Sequence, residues 1–281
     1  MYRRVPIGFT LLAIRPVSSL NRDSHRLVTV SYFSLVFGMR RRRRTVMFRK
    51  VLVSVAIIIF GLAGVSSASA VEGPVLVFGG TSGTGLATVQ YLRAQGVPVT
   101  VFVRPTSDTS VLEPLGVKMV VGNALNADDV NAAYDSGSYK VVVSSLGGRR
   151  GEPRPDLEGN KNITAGATVF GVKRVIQISS IGAGETREPP GEDDNFMAGV
   201  LYMKTLAEDD LIASGLDYTV IRPGGLRRGE STGTGVLQET ETMGAIDRQE
   251  LGRLVVYALD DASTVGRVLF AIDPALPASE E

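Results

Sequence analysis

The sequence predicts an α/β fold: a doubly wound parallel sheet with helices on both faces. Three observations carry that expectation. From Val75 onward, short apolar runs alternate with longer stretches of helical spacing. The runs show little polar alternation, as expected of strands covered on both faces. The first run also opens directly into a glycine-rich turn, GGTSGTG at residues 79–85, ahead of the first helical stretch.

The elements follow in order. VLVF (from Val75) reads as the first strand, and Thr84 to Ala94 as a helix that carries Leu86, Val89, Tyr91 and Leu92 and stops at Gly96. PVTVFV and VKMVVG are the second and third strands, and NADDVNAAYD starts a helix whose early acids complement its dipole. KVVVSSL, RVIQISSIG and YTVIRPG are further strands, separated by helices over NKNITAGATVFG and LYMKTLAEDDLIASG. Beyond Gly224 come a loop rich in Gly, Thr and Glu, a helix over RQELGRLVVYALDD, and a last strand, GRVLFAI. The expectation is one domain over residues 71–281, with a small substrate lobe near its C-terminal end.

In such sheets a ligand sits beyond the strand ends where the winding reverses. The turn formed by Gly79, Gly80, Thr81, Ser82, Gly83, Thr84 and Gly85 leaves main-chain nitrogens uncovered there. With a helix N-terminus behind them, those amides suit a diphosphate. Gly79 takes the tight turn, Gly83 admits the pyrophosphate, and Gly85 lets the helix pack. In this context the pattern is the dinucleotide fingerprint of a Rossmann-type fold. An NAD site usually places an acid about 20 residues downstream to take the ribose 2′-hydroxyl. Here the second strand ends in Arg104, with no acid before Asp108. A guanidinium can pair with a 2′-phosphate through two hydrogen bonds, so NADP(H) is favoured over NAD(H).

Composition narrows the chemistry. There is no cysteine and one histidine, His25, in the N-terminal segment. The domain therefore has no Ser-His-Asp triad, cysteine nucleophile or zinc site of the usual ligands. Residues 1–70 hold twelve Lys and Arg against one acid, which leaves 18 basic and 28 acidic groups in residues 71–281. A domain of that charge repels phosphate backbones, so nucleic acid is set aside as a partner.

The first seventy residues read as a targeting region. Five arginines (Arg40 to Arg44) precede an apolar run from Val51 to about Val65, and Ala68-Ser69-Ala70 fits a signal-peptidase site. The expectation is an exported or organellar protein cleaved near Ala70. The alternative is an uncleaved anchor, since Val51 to Ala70 is just long enough to span a bilayer. Met47 could start a signal of ordinary length, which would make residues 1–46 an over-extended start or an organellar presequence. Arg43-Arg44 could also belong to a twin-arginine signal.

VLVFGGTSGTG, FVRPTSD, VVGNAL, VIQISSIGAG, KTLAEDDLIASGLDYTVIRPGGL and IDRQELGRLVVYALDDASTVGR together resemble the atypical short-chain dehydrogenase/reductases. More narrowly, they resemble the NmrA-like and biliverdin-reductase-B-like branch, in the same motif order. The resemblance implies that Gly79, Thr81, Gly83, Thr84 and Gly85 wrap the pyrophosphate and Arg104 meets the adenosine phosphate. It places Asn123 and Ala124 by adenine, Ser144 and Ser145 on the route to the nicotinamide ribose, Ser179 and Ser180 at the nicotinamide, and Lys204 on its ribose. The chain departs from the family where it has Ser82 in place of glycine and Asn123 in place of a frequent aspartate. The branch includes monomers, so a monomer acting on a small molecule is expected.

The usual chemistry of the family needs a tyrosine four residues before its lysine, on the same helix face. Here that position is Val200. Tyr202 is two residues from Lys204, roughly 200° around a helix, so it packs elsewhere unless the helix begins late or is irregular; Ser180, Lys204 and Tyr202 are the catalytic candidates. Reduction would then rely on Ser180 with a water, the protein mainly orienting its cofactor. The alternative is a non-catalytic nucleotide sensor or assembly module. An epimerase or dehydratase acting on a nucleotide sugar fits poorly without the tyrosine. Residues 184–200 are the place for substrate contacts, with Phe196 and Met197 either covering the nicotinamide or buried in the core. Arg222 is expected to form a structural ion pair. Arg227 and Arg228 could attract an acidic substrate, whereas the acid cluster Glu192-Asp193-Asp194 would disfavour a strongly anionic one, so the two loops point in opposite directions on substrate charge.

Overall fold

The computed structural model describes residues 71, 73–148, 151–184, 188–191 and 195–277. The targeting region of residues 1–70 lies outside them, as does the acid cluster at 192–194.

Among the described residues, eight strands form one sheet in the order β3-β2-β1-β4-β5-β6-β10-β8. They are β1 (Val75–Phe78), β2 (Val99–Val103), β3 (Lys118–Val121), β4 (Val141–Ser144), β5 (Arg174–Ile178), β6 (Asp217–Pro223), β8 (Val236–Gln238) and β10 (Arg267–Ile272). All neighbours are parallel except β8, which runs antiparallel to β10. A second, two-stranded parallel sheet pairs β7 (Gly225–Arg227) with β9 (Ala245–Asp247). Among the described residues, five α-helices connect the strands: α1 (Gly83–Ala94), α2 (Ala127–Asp135), α3 (Glu158–Val169), α4 (Phe196–Ala213) and α5 (Arg248–Asp260). The Rossmann-type doubly wound fold expected from the sequence is the fold observed.

Alternate residues of a strand face opposite sides of the sheet, and here both sides are dry. Val75 and Val77 of β1 pack with Val89 and Leu92 of α1 and with Leu254 and Val255 of α5. Leu76 and Phe78 pack on the other face with Tyr134 of α2, Ile163 of α3 and Leu211 of α4. All four β1 side chains are fully buried, which explains the unbroken apolar run. The edge strand β3 is different: Met119 and Val121 are 40% and 63% exposed, because among the described residues no further strand or helix covers them.

Three details depart from the sequence expectation. Helix α4 begins at Phe196 and not near Leu201, because the Asn195 side chain accepts hydrogen bonds from the amides of Met197 and Ala198 and caps the turn. A 3₁₀ turn over Ser110–Leu115 precedes β3. The C-terminal lobe lends β8 to the main sheet, which is therefore only mostly parallel. The strands of that lobe are three residues long, too short to show a period in sequence.

One packing contact sets up the site. At Gly252 of α5 an added Cβ would fall 2.5 Å from the Ala87 Cβ of α1. That close approach of the two helices brings the first residue of α5, Arg248, beside the glycine turn.

Candidate functional site

The sheet reverses its winding between β1 and β4, and a cleft of about 540 Å³ opens over the strand ends there. The glycine turn forms one wall. Gly79 has φ +79°, and an added Cβ would lie 2.5 Å from the Ser145 carbonyl oxygen, so the turn touches the loop after β4 directly. A Cβ on Gly85 would lie 2.1 Å from the Gly79 carbonyl oxygen. Gly85 thus lets α1 start on top of the turn itself, while Gly80 makes room for Val101 of β2. Ser82 is the N-cap of α1 but makes no side-chain cap, leaving the first-turn amides to an outside acceptor. Thr84 is buried against the cleft, and among the described residues its hydroxyl has no hydrogen-bond partner. An orphaned buried hydroxyl costs about 1–3 kcal/mol, and a phosphate oxygen would satisfy it.

Cations line the rest of this end. Arg248 passes over Gly83, its Cδ 3.3 Å from where a Cβ would stand, and its Nη1 donates to the Arg227 carbonyl at 2.8 Å. Arg104 lines the cleft at the end of β2 and is 54% exposed, its Nη1 3.3 Å from Oε2 of Glu152. Exposed pairs of this kind contribute about 1 kcal/mol or less, so an incoming anion can compete for the guanidinium.

The other end of the cleft is built from the tips of β4, β5 and β6, the loop after β4, and α4. Val200, Lys204 and Glu208 lie four apart along α4, on one stripe. Val200 and Lys204 line the cleft. Glu208 is buried behind it, accepts from the Ser179 hydroxyl and pairs with Arg222 at 2.5 Å. The ion pair expected for Arg222 is therefore present, and it ties α4 to β6. Ser179 lines the cleft with its proton committed to Glu208. The Lys204 ammonium lies 3.2 Å from Oδ1 of Asp156, a fully buried carboxylate whose Oδ2 is 2.9 Å from Nη2 of Arg154. The Arg154 guanidinium stands 5.2 Å over the Phe196 ring. Leu146, Met197, Val200 and Leu226 give this end an apolar wall.

Of the residues singled out in the sequence, Gly79, Thr81, Ser82, Gly83, Thr84, Arg104, Ala124, Ser145, Ser179, Ser180 and Lys204 line one cleft. Gly80 and Gly85 shape the turn from behind. Ser144 is buried and donates to Asn160 Oδ1 at 2.6 Å, off the cleft surface. Asn123 points its side chain at the Leu125 amide (3.1 Å), and its neighbour Ala124 forms the wall. Tyr202 is half-buried and does not line the cleft, since α4 is regular through Lys204 and turns it away. Met197 lines the cleft, while Phe196 meets it through Arg154. Sequence reasoning missed Arg154, Asp156 and Arg248. Asp156, just before α3, and Arg248, opening α5, reach the cleft only through tertiary packing.

Comparison with known proteins bears on this geometry. Residues 79–262 match a family described as NAD(P)H-binding. YhfK of Bacillus subtilis, described as an uncharacterized sugar epimerase, is 30% identical over 182 residues, 63% of this chain and 83% of that one. The uncharacterized chloroplastic protein At2g34460 of Arabidopsis thaliana is 29% identical over 199 residues, 66% of this chain and 71% of that one. Among solved structures, ChuY, an anaerobillin reductase of Escherichia coli O157:H7, superposes with a TM-score of 0.63 at 29% identity, covering 72% of this chain and 98% of that one. With its glycine turn, its cation-lined cleft and a family match over most of the described domain, the chain belongs to the NAD(P)H-binding family, in keeping with the atypical short-chain dehydrogenase/reductases.

Proposed function

We propose that residues 71–281 form an NADPH-dependent oxidoreductase that reduces a small organic molecule. The observation that carries this reading is the composition of the two cleft ends. One offers uncapped amides, the orphaned Thr84 hydroxyl and guanidinium groups. The other offers an ammonium and two serines beside an apolar wall. A bound nicotinamide nucleotide would supply the hydride. Residues Thr81 to Gly85 would hold its diphosphate, and Arg104 its 2′-phosphate once Glu152 is displaced. Lys204 would donate to the ribose, and the Ser179 oxygen would accept from the carboxamide. Ser180, half-buried on the same wall, would deliver a proton to the reduced substrate through a water. Leu146, Met197 and Leu226 would exclude bulk solvent.

Titration calorimetry with NADPH and NADH tests the cofactor assignment, which fails if both bind equally. Loss of NADPH absorbance against quinones, flavins and aldehydes tests catalysis. A second reading, a nucleotide sensor without chemistry, draws on Val200 standing where the family has tyrosine and on Tyr202 facing away from the cleft. Tight NADPH binding with silence across that panel would favour it. The same valine argues against a sugar epimerase reaction here, although one relative is described as such an enzyme.

We further propose that residues 1–70 are a targeting region; the chloroplastic relative supports an organellar destination. Among the described residues no helix is long and apolar enough to cross a membrane. N-terminal sequencing of the mature protein tests cleavage near Ala70.

A further inference from the structure

Lys204 is held by an unexpected partner. Its ammonium would ordinarily work beside a tyrosine one helical turn earlier, but that position is Val200, 5% exposed in the cleft wall. The ion-pair partner of Lys204 is Asp156, which arrives from the loop between β4 and α3 and is fully buried. Its Oδ2 takes Nη2 of Arg154 at 2.9 Å and the Gly148 amide at 3.3 Å. Its Oδ1 faces Lys204 at 3.2 Å and makes no hydrogen bond of good geometry with any described residue.

The backbone of Asp156 is fixed as firmly as its carboxylate. Asn160 Nδ2 donates to the Asp156 carbonyl at 2.7 Å, and Asn160 Oδ1 accepts from the Ser144 hydroxyl at 2.6 Å. Ser144 is the last residue of β4. An unbroken buried chain therefore runs from the sheet through Ser144, Asn160 and Asp156 to the Lys204 ammonium.

A buried ion pair is weak evidence of stabilisation, because apolar residues of similar size often do as well. Here one carboxylate is shared by two cations, so the cluster keeps one surplus positive charge at the cleft surface. A lysine has three N–H donors. The ion pair with Asp156 holds the ammonium by charge at 3.2 Å, so its donors stay available to a ligand.

We propose that Asp156 is the positioning residue for Lys204: its charge fixes the ammonium so that the N–H donors face the nicotinamide half of the cleft. This rests on the reading that the cleft binds NADPH. It also accounts for the alignment of Lys204 without a tyrosine beside it, and gives Ser144 and Asn160 a role behind the surface.

The test is a double-mutant cycle on NADPH affinity, measured by calorimetry with melting temperatures taken alongside. Asp156→Asn keeps the shape and removes the charge; it is expected to weaken NADPH binding about tenfold, within the range of coupling between residues in contact. Lys204→Ala should lose at least as much. The double variant should bind no worse than Lys204→Ala alone, because Asp156 acts through the lysine. Asp156→Glu restores the charge at a shifted reach and should recover part of the affinity. A role confined to folding would lower the melting temperature and leave the two losses additive.

If the unaltered protein binds no NADPH, the cofactor reading fails. If it binds but Asp156→Asn binds equally well, or the losses add, the positioning role is overturned. Should Asp156→Asn fail to fold, Asn160→Ala releases the backbone anchor and leaves the carboxylate in place. It is expected to weaken NADPH about threefold, as for loss of a neutral hydrogen bond, and unchanged affinity would again overturn the proposal.

Discussion

The two ends of the cleft are built by different means. At the glycine end the site is made of backbone: a tight turn at Gly79, an uncapped helix start at Ser82, and side chains reduced to hydrogen so that main chains meet. At the lysine end the site is made of side chains from separate elements: Asp156 ahead of α3, Lys204 and Glu208 on α4, Ser179 after β5 and Arg222 on β6. A backbone site is dictated by a few adjacent residues, whereas a side-chain site depends on every element that packs around it. The first kind fails by steric overlap and the second by losing partners one at a time.

That contrast orders the expected effects of substitution. The largest belongs to Gly85→Val, whose Cβ would stand 2.1 Å from the Gly79 carbonyl oxygen. Backbone on both sides leaves nothing flexible to yield. Overpacking of this sort costs about 3 kcal/mol or more where nothing can yield, and displacing the turn should also abolish nucleotide binding in calorimetry. Retention of NADPH affinity would show that the amides of the turn are not the diphosphate site.

Next comes a buried acid that serves the fold. Glu250 of α5 is fully buried and holds the loop after β7 through the Ser231 hydroxyl, the Gly233 amide at 3.0 Å and the Gly235 amide at 2.8 Å, with Arg253 at 2.5 Å. Burial alone would raise its pKa, but the hydrogen bonds from Arg253, Ser231 and the two amides outweigh it and hold the group down to about 2. With the folded value depressed, its stabilisation is complete above the ordinary glutamate range and is lost as pH falls through about 2. Glu250→Gln should cost about 3 kcal/mol in denaturant melts near neutral pH, lose that deficit relative to the unaltered chain as acid is added, and leave NADPH affinity within about twofold, inside the scatter for distant sites. The contrast with Asp156→Asn, where affinity moves, separates an acid that holds a loop from one that aims a ligand group.

Arg104→Glu follows. Losing a charge-assisted contact to a phosphate costs about 1.5–3 kcal/mol, so NADPH binding should weaken by roughly one to two orders of magnitude while NADH moves little. Equal losses for both nucleotides would remove Arg104 from the 2′-phosphate.

How much of this was legible in the sequence follows from the same contrast. The main strands, the helices between them and the turn were readable because each rests on a local pattern: unbroken apolar runs such as Val75–Phe78, and glycines at fixed spacing. The start of α4 at Phe196 was hidden because its cap is a single asparagine after a loop. Asp156 and Arg248 were hidden for a stronger reason. One lies in a loop ahead of α3 and the other opens a helix whose place was known but whose packing on α1 depends on Gly252 meeting Ala87. Neither carries a short-range signal. The exclusion of Tyr202 was half legible: its spacing from Lys204 was plain, and only the regularity of α4 decided it.

The smallest effect is also the most discriminating. Glu152 presents a carboxylate to Arg104 at 3.3 Å, both groups about half exposed, in the position a 2′-phosphate would compete for. An exposed pair of this kind contributes about 0–1 kcal/mol. Its removal in Glu152→Gln frees the guanidinium before the nucleotide arrives and also lifts a like-charge repulsion against the phosphate. NADPH should therefore bind about two- to fivefold more tightly, within what that energy range allows, and NADH, which has no phosphate there, should be unchanged. The gain should shrink in high salt, because exposed charges are screened over about 8–10 Å at ordinary ionic strength. An equal gain for NADH would mean that the loop after β4 merely obstructs entry; a loss for NADPH would mean that Glu152 holds Arg104 in its binding pose and does not compete for it.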